Sequence, residues 1–477
     1  STHCISSAAS DVYKRQGLKT VAGEGLHIII VGCGKVGSAL TEQLSKEGHD
    51  ITVVDQDVSK VAELTNLYDV MGITGNGASY NVQMEAGIEN CDLIIAVTDS
   101  DELNLLCCTV AKKAGDCAAV ARVRTPDYSR DITYLREKLG LTMIINPDLE
   151  AARETARILY LPTALEVNSF AHGQTEMVKF KLPAGNILVG KSVMELGRDI
   201  CSDILICVIQ RGDEIYIPDG SFVMEEGDII SFVASRSHIR GFLKNIGFKT
   251  KQVKNTMIVG GGKSAYYLAE NLINMGIDVK LIEKDRKRCD ELSILLPKAI
   301  IINGDGTDQE LLMEEGIERA ESFVPLTGID EENIMLNLFA KQVSEAKVIT
   351  KINRMTFKNV IGKLDLGSVI YPRIITSEAI IAYVRAKNNS QNSNIETLYH
   401  MFDSRVEAIE VRVDEASAVT SKTLSELRLK KNLLVCSIYR RGKVIIPSGQ
   451  DQINLGDTVI VVTTHKRFND IKDILEK

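Results

Sequence analysis

Three glycines near the start of the chain have the spacing of a turn that binds phosphate groups. Gly32, Gly34 and Gly37 follow an apolar run in the pattern G-x-G-x-x-G. In such a turn the first glycine allows a sharp change of direction, the second admits a pyrophosphate close to the backbone, and the third lets a helix pack against a strand. The helix that begins there directs free N–H groups and its positive dipole end at the phosphates. Lys35, whose side chain is long enough to reach phosphate oxygens, and Val36 complete the predicted loop.

An acidic residue ends the next apolar run. Asp55 follows Gly32 by a little over twenty residues. A carboxylate at that spacing accepts hydrogen bonds from ribose hydroxyls, and it repels a 2′-phosphate. The loop and this carboxylate together predict a site for NAD or an adenosine nucleotide rather than for NADP.

A second loop of the same kind occurs further along the chain. Gly260, Gly262 and Ala265 repeat the spacing, Lys263 lies at the basic position, and Glu283 takes the acidic position. Alanine is accepted as the third residue of the pattern. Our hypothesis is a second nucleotide site, and the alternative is a turn of the same shape that has lost its ligand.

Further candidate groups follow the third and fourth apolar runs of each copy. A small residue next to an amide or a carboxylate suits an adenine edge, but the same residues also form ordinary caps at helix starts. Polar residues after the fourth run lie where ligands bind in an open parallel sheet, or they act as helix caps. The candidates are Gly75, Asn76, Thr98, Asp101 and Asn104 in the first copy and Gly304, Asp305, Thr327, Asp330 and Asn333 in the second.

A long repeat organises the chain. The glycines at 32 and 34 precede those at 260 and 262 by 228 residues, and the blocks that follow recur in the same order. The match extends to a second part, where IYIPDG at 215–220 corresponds to VIIPSG at 444–449. A steady period with ordered blocks indicates duplication of a unit that has two parts.

The two parts of the unit predict two kinds of domain. Each first part alternates β-branched runs with helical patterns, which predicts an α/β fold: a Rossmann-like, doubly wound parallel sheet with helices on both faces. Each second part has short alternating strands and predicts a small α+β domain. The expected boundaries are a disordered or extraneous leader at 1–24, Rossmann-like domains at 25–162 and 253–388, and small domains at 163–248 and 394–477. The strands expected in the first Rossmann-like domain are 27–31, 51–55, 70–74, 93–97, 119–122 and 143–145, and its last expected helix is 127–139.

The composition argues against several classes of protein. A formal net charge of −8 and a pI of about 5.6 oppose a nucleic-acid footprint, which needs a basic surface. None of the ten cysteines has C-x-x-C spacing, so we expect reduced thiols with no disulfide framework and no metal site. No apolar run reaches the roughly 18 residues that a membrane-spanning helix needs.

Groups for acid–base catalysis are scarce. None of the seven histidines lies at a place in a repeated block where a general acid or base would be needed. We therefore expect a binding protein with no catalytic residue. An NAD-dependent oxidoreductase is the alternative that the glycine loops permit.

The repeated blocks carry a resemblance to a known family. HIIIVGCGKVG, VVDQD, ITGNG and AVTDSDELN, followed by IYIPDG and EEGD, resemble the N and C subdomains of an RCK module, a regulator of potassium conductance. The likeness covers about residues 26–477 and includes two complete modules. Two modules in one chain are similar to the peripheral subunits of Trk-type potassium-uptake systems of bacteria and archaea.

The resemblance implies a function and a set of partners. Members of this family bind NAD(H), ATP or ADP, assemble into homo-oligomeric rings, and gate an integral-membrane potassium transporter from the cytoplasmic face. By this resemblance we expect a ring-like tetramer on a Trk-type transporter, with no nucleic acid. Regulation of another cation channel or antiporter is the alternative. The family often has arginine beside the loop, where this chain has Lys35 and Lys263, and Ser264 and Ala265 depart further from the pattern.

Overall fold

The structure is a computed structural model. It describes residues 25–196, 203–248, 250–354, 361, 364–388, 395–402, 405–466, 468 and 470–476. The predicted leader at 1–24 and most of the predicted linker near 386–394 lie outside this part of the chain. Within it, two parallel sheets of six strands alternate along the chain with two antiparallel sheets of five strands.

The first parallel sheet has the strand order β3-β2-β1-β4-β5-β6. The order reverses beside β1, and ligands bind at the carboxyl ends of the strands next to such a reversal. The strands are β1 His27–Val31, β2 Asp50–Asp55, β3 Met71–Thr74, β4 Leu93–Ala96, β5 Ala118–Arg122 and β6 Met143–Ile145. The helices are α1 Lys35–Lys46, α2 Val58–Leu67, α3 Tyr80–Glu85, α4 Asp101–Ala114, α5 Pro126–Arg130, α6 Ile132–Lys138 and α7 Pro147–Tyr160.

The first antiparallel sheet follows α7 and has the order β10-β9-β11-β8-β7. Its first strand, β7, was not predicted from the sequence, because apolar and polar residues alternate only weakly in that segment. The strands are β7 Glu166–Phe170, β8 Thr175–Lys181, β9 Ile204–Arg211, β10 Glu214–Tyr216 and β11 Ile229–Ser235, and helix α8 is Arg236–Asn245.

The second half repeats this architecture. Its parallel sheet has the order β14-β13-β12-β15-β16-β17, and its antiparallel sheet has the order β18-β19-β22-β20-β21. The parallel strands are β12 Asn255–Val259, β13 Asp278–Glu283, β14 Ile300–Asn303, β15 Ser322–Pro325, β16 Lys347–Lys351 and β17 Ser368–Ile370. The helices are α9 Lys263–Asn274, α10 Arg286–Leu295, α11 Gln309–Glu314, α12 Asp330–Val343 and α13 Pro372–Asn388. The antiparallel strands are β18 Ile395–Met401, β19 Val406–Arg412, β20 Leu433–Arg440, β21 Lys443–Ile445 and β22 Thr458–Thr463.

The last helix of each Rossmann-like domain packs on the other half of the chain. Helix α7 of the first half packs on α9, the glycine-loop helix of the second, and α13 of the second half packs on α1, the glycine-loop helix of the first. Ala152 of α7 therefore shares a buried core with Leu268 of α9. The Asn146 amide also donates to the Tyr267 hydroxyl at 2.9 Å. Each glycine-loop helix is thus covered by a helix from the other half.

The two antiparallel sheets also pack against each other. Met177 and Cys207 of the first share a buried cluster with Val406 and Cys436 of the second. Among the residues that the structure describes, no helix combines the length and the apolar character needed to cross a membrane.

A buried ion-pair network joins α13 to α1 and to the second antiparallel sheet. The Arg385 guanidinium contacts Glu47 at 2.7 Å and Glu407 at 3.1 Å. His400 contacts Glu407 at 3.5 Å and Glu378 at 3.7 Å. Burial by itself would lower the pKa of His400, but these two carboxylates outweigh it and raise the pKa to about 9.

The network predicts a loss of stability at alkaline pH. A histidine with a raised folded-state pKa contributes its full stability below the unfolded-state pKa, and that contribution disappears as the pH rises through the folded-state value. For His400 the window runs from about 6.5 to about 9, and the loss amounts to about 3 kcal/mol. Chemical denaturation of the parent protein and of His400→Gln at several pH values measures the difference, which should grow smaller across the window. His238→Gln, which changes an exposed histidine, should follow the parent protein at every pH, and a parallel change in all three proteins would contradict the assignment.

Candidate functional site

Steric limits at the first loop explain two of its three glycines. Gly32 has φ +104°, and a β-carbon there would lie 2.9 Å from the backbone nitrogen of Thr98. A β-carbon on Gly37 would lie 1.8 Å from the carbonyl oxygen of Gly32. At Gly34 no described atom lies within 4 Å of that position. The fold therefore requires glycine at positions 32 and 37, while position 34 faces open space at the start of α1.

Asp55 holds the loop in shape through both carboxylate oxygens. Oδ2 accepts a hydrogen bond from the Cys33 backbone N–H at 2.7 Å, and Oδ1 accepts one from Asp57 at 2.9 Å. The Gly32 N–H donates to the carbonyl oxygen of Val54 at 2.8 Å. These bonds join the glycine loop to the end of β2, which places the carboxylate beside the loop as the sequence predicts.

A cavity of about 270 Å³ opens at the carboxyl ends of the strands. It brings together five predicted residues, Gly32, Gly34, Asp55, Gly75 and Thr98. It also contains residues that the sequence reasoning missed, namely Gln56, Lys60, Gly77, Asp99 and Ser100. Lys60 could have been found from the repeat, because Arg288 is the basic residue at the corresponding position of the second copy.

Other predicted residues lie apart from this cavity. Lys35 is exposed, and Val36 is buried in the core beneath α1. The Asn76 side-chain oxygen accepts a hydrogen bond from the Ala78 N–H at 3.0 Å. That oxygen therefore closes a local turn at the end of β3.

The loop after β4 is held by a buried asparagine. The Asn104 side-chain oxygen accepts from the Thr98 N–H at 2.8 Å and from the Thr98 hydroxyl at 2.7 Å. The Asn104 amide donates to the carbonyl oxygen of Arg122 at 2.9 Å. Asp101 accepts from the backbone N–H groups of Arg124 and Thr125 at 3.0 and 2.8 Å. Asn104 and Asp101 thus position the loop, and Thr98 is the residue that reaches the cavity.

The second loop has the same internal geometry. Gly260 has φ +96°. The Glu283 carboxylate accepts from the Gly261 N–H at 2.6 Å and from the Asp285 N–H at 2.8 Å. Arg288 adds a contact, because its Nε donates to the carbonyl oxygen of Gly261 at 2.7 Å.

The remaining predicted residues of the second copy repeat the first. The Thr327 N–H donates to the Asn333 side-chain oxygen at 3.0 Å. The Asp305 carboxylate accepts from the Thr307 N–H at 2.9 Å and so closes a local turn. Two backbone N–H groups, of Asn353 and Arg354, donate to the Asp330 carboxylate at 2.9 and 2.7 Å. Gly304 lies at the end of β14, where its N–H donates to Glu283 at 3.0 Å, and Ala265 is fully buried.

The helix that starts at the second loop meets the first half of the chain. Lys263 donates to the Thr125 hydroxyl at 3.0 Å, and the Ser264 hydroxyl donates to the Asp148 carboxylate. Arg124 pairs with that carboxylate at 2.7 Å. Burial opposes the charge, but Arg124 and Ser264 hold the pKa of Asp148 below its usual value. Gly262 and Lys263 line a cavity of about 580 Å³ at this boundary. Through its bond to Ser264, the Asp148 carboxylate lies beside the start of the second loop helix.

Two Rossmann-like sheets with glycine loops, each joined to a small antiparallel domain, define a tandem RCK-type protein. The family model of the TrkA-N domain matches residues 28–147 and 256–372, and that of the TrkA-C domain matches 177–247 and 408–476. The chain belongs to the TrkA family.

Relatives and solved structures are similar to this chain over nearly its whole length. The Trk system potassium uptake protein TrkA of Haemophilus influenzae is 32% identical over 93% of this chain and 96% of its own length. The TrkA protein of Halomonas elongata is 31% identical over 94% of this chain and 99% of its own length. The structure titled GsuK channel bound to NAD is 18% identical, covers 96% of this chain and 80% of that chain, and has a TM-score of 0.61. The GsuK RCK domain is 17% identical, with coverage of 94% and 96% and a TM-score of 0.61; both structures support the fold.

Proposed function

We propose that this protein is a nucleotide-sensing regulatory subunit of a potassium-uptake transporter, and that NAD(H) or an adenine nucleotide binds at the first glycine loop. The observation that carries the proposal is the cavity in which Gly34, Asp55 and Thr98 converge at the carboxyl edge of the sheet. The pyrophosphate lies on the N-terminus of α1, and the ribose hydroxyls contact the Asp55 carboxylate. Lys60 supplies a cation at the rim of the cavity.

The comparisons support the transport role. Relatives that align along nearly their whole length bear the name of a potassium uptake system. A structural neighbour with the same fold is described as a channel bound to NAD. By this proposal the protein is cytoplasmic, assembles as a ring-like homotetramer, and docks on a Trk-type membrane subunit.

Signalling follows from unequal binding to two arrangements of the protein. A ligand can shift such an equilibrium only by its differential affinity for the two states, and a coupling of about 1–3 kcal/mol is typical. The loop helix α1 is covered by α13 from the other half, so movement at the first loop reaches the second half through a packed interface. The transporter then responds to the arrangement of the halves.

The second loop is proposed as a weaker site. Gly260, Gly262 and Glu283 keep the geometry of a nucleotide loop, but the Asp148 carboxylate contacts Ser264 in the first turn of the loop helix. Repulsion between that carboxylate and a pyrophosphate lowers the affinity of the second loop relative to the first.

Calorimetric titration of the full chain with NAD, NADH, ATP, ADP and NADP tests the proposal. Saturable binding of NAD(H) or adenine nucleotides, with NADP weaker, is expected for the parent protein. Asp55→Asn should weaken binding about tenfold or more, because a hydrogen bond to a charged group contributes about 1.5–3 kcal/mol. The same change should reduce discrimination against NADP.

The control changes a neighbouring carboxylate that does not line the cavity. Asp57 caps the first turn of α2 through the Ser59 N–H at 3.0 Å. Asp57→Asn should leave nucleotide affinity unchanged. Failure of every nucleotide to bind the parent protein would overturn the proposal, and equal loss in both variants would remove Asp55 from the site.

A further inference from the structure

A third cavity, here called the arginine cavity, lies between α7, the first antiparallel domain and α9. Its volume is about 390 Å³, and four arginines line it, Arg153, Arg157, Arg236 and Arg240. Glu176 is the only carboxylate among the described residues that line it. Arg153 pairs with Glu150 at 2.6 Å and Arg236 lies 3.9 Å from Glu176, so the excess of positive charge rests on Arg157 and Arg240. The cavity is separate from both glycine loops.

Several donors in this cavity have no acceptor. Nε of Arg157, Nε of Arg240 and Nδ2 of Asn271 are buried and make no hydrogen bond to any described residue. A buried donor without a partner costs about 1–3 kcal/mol. Arg240 and Arg236 lie over the ring of Tyr160, at 4.0 and 5.4 Å from its centroid. The ring fixes the direction of these guanidinium groups; Arg236 also lies 3.9 Å from the Glu176 carboxylate, whereas no described carboxylate forms an ion pair with Arg240.

The duplication supplies a comparison within the same molecule. In the other half, the corresponding space lies between α13, the second antiparallel domain and α1, and Arg385 there pairs with Glu47 at 2.7 Å and Glu407 at 3.1 Å. Glu47 follows the last residue of α1 just as Met275 follows the last residue of α9. The second half therefore neutralises Arg385 with two carboxylates, whereas the first half has Tyr160 at the position of Arg385 and Met275 at the position of Glu47.

We propose that the arginine cavity binds a small soluble anion that carries phosphate and an apolar or planar carbon skeleton. Planar guanidinium groups bind phosphate oxygens through pairs of hydrogen bonds, and Arg157, Arg240 and Asn271 all line the cavity. Apolar side chains such as Leu161, Val167 and Ile239 cover much of the remaining wall, beside Ser169 and Asn274. The volume lies in the range of about 300–1,000 Å³ that small-molecule sites occupy.

The walls of the cavity link this site to the packing of α7 on α9. Arg157 belongs to α7 of the first half, Arg240 to the first antiparallel domain, and Asn271 to α9 of the second half. An anion that bridges them stabilises the contact between α7 and α9. The ligand therefore favours the arrangement in which the two halves are packed together.

Calorimetric titration of the full chain with pyrophosphate, at constant ionic strength, tests the proposal. Saturable binding is expected in a Gly34→Val background, which blocks the first glycine loop. Adding Arg157→Gln and Arg240→Gln should raise the dissociation constant at least about tenfold, since each charged hydrogen bond contributes about 1.5–3 kcal/mol. The matched control removes two exposed arginines elsewhere, Arg136→Gln and Arg428→Gln, and should leave the dissociation constant unchanged.

A variant that adds a carboxylate to the wall of the cavity tests the proposal independently. Met275→Glu places a carboxylate at the position of Glu47, so it should abolish pyrophosphate binding and raise the thermal midpoint of the otherwise unchanged protein. Circular dichroism of each variant verifies folding.

Three results would overturn the proposal: no saturable binding, equal binding by the arginine variants and their control, or a lower midpoint with unchanged binding in Met275→Glu. Flotation with phosphatidylglycerol vesicles distinguishes the source of the phosphate. Flotation lost only in the Arg157→Gln, Arg240→Gln protein would overturn the assignment to a soluble ligand, and equal flotation of both double variants supports it.

Discussion

Replacing Arg385 with methionine is expected to lower the free energy of unfolding by about 3–5 kcal/mol, because the buried carboxylates of Glu47 and Glu407 would lose their compensating charge. The guanidinium group is 5% exposed, and those carboxylates are 12% and 1% exposed. Methionine keeps most of the volume of the side chain, so the effect is chiefly electrostatic. Urea denaturation followed by circular dichroism measures it, since the chain has no tryptophan.

A surface pair provides the control for this prediction. Arg412 contacts Asp414 at 2.9 Å, but both side chains are about half exposed. Arg412→Met should therefore cost less than about 1 kcal/mol. Adding Glu47→Gln and Glu407→Gln to Arg385→Met should restore part of the stability. Equal costs for Arg385→Met and Arg412→Met would show that the network does not hold α13 on the first half.

Gly34→Val is expected to weaken nucleotide binding at the first loop about 100-fold or more, equivalent to about 2.7 kcal/mol. Gly34 has φ −70° and ψ −173°, a conformation that valine adopts easily. A β-carbon there meets no described atom within 4 Å, so the new side chain projects into the space that the pyrophosphate needs. Titration with NAD and ATP measures the loss, and an unchanged thermal midpoint verifies the fold.

Two further variants separate binding from folding in this prediction. Gly262→Val makes the same change at the second loop, where the β-carbon position is also open, and it should leave binding at the first loop intact. Gly37→Ala should destabilise the protein, because its β-carbon would overlap the Gly32 carbonyl oxygen. Full binding by Gly34→Val would exclude the first loop as the nucleotide site.

Local pattern predicted the elements of the parallel sheets well. The strand expected at 27–31 is β1 without change, and that at 143–145 is β6. The Rossmann-like fold class and the tandem family were confirmed. The single helix expected at 127–139 was wrong, because Asp131 interrupts it and two short helices form.

The sequence also predicted that residues from different loops come together at the first site, and the reason is physical. Parallel strands bring their carboxyl ends to one edge of the sheet, so the order of strands along the chain fixes which loops meet there. Gly32, Asp55 and Thr98 could be placed together on that basis. The direction of a single polar side chain could not, and the Asn76 oxygen therefore binds the local backbone.

The sequence by itself determined the repeat, the alternation of strand and helix, and the loop geometry, because these depend on residues that are close in the chain or related by the period. Only the tertiary structure decided which half each terminal helix covers. The sequence pattern of a helix with one apolar face does not indicate which half of the chain that face covers. The pairing is determined by contacts such as that between Asn146 and Tyr267. The same choice places Asp148 at the second loop and gathers the arginines of the arginine cavity. These features depend on contacts between segments more than 100 residues apart, which the local periodicity of the sequence does not predict.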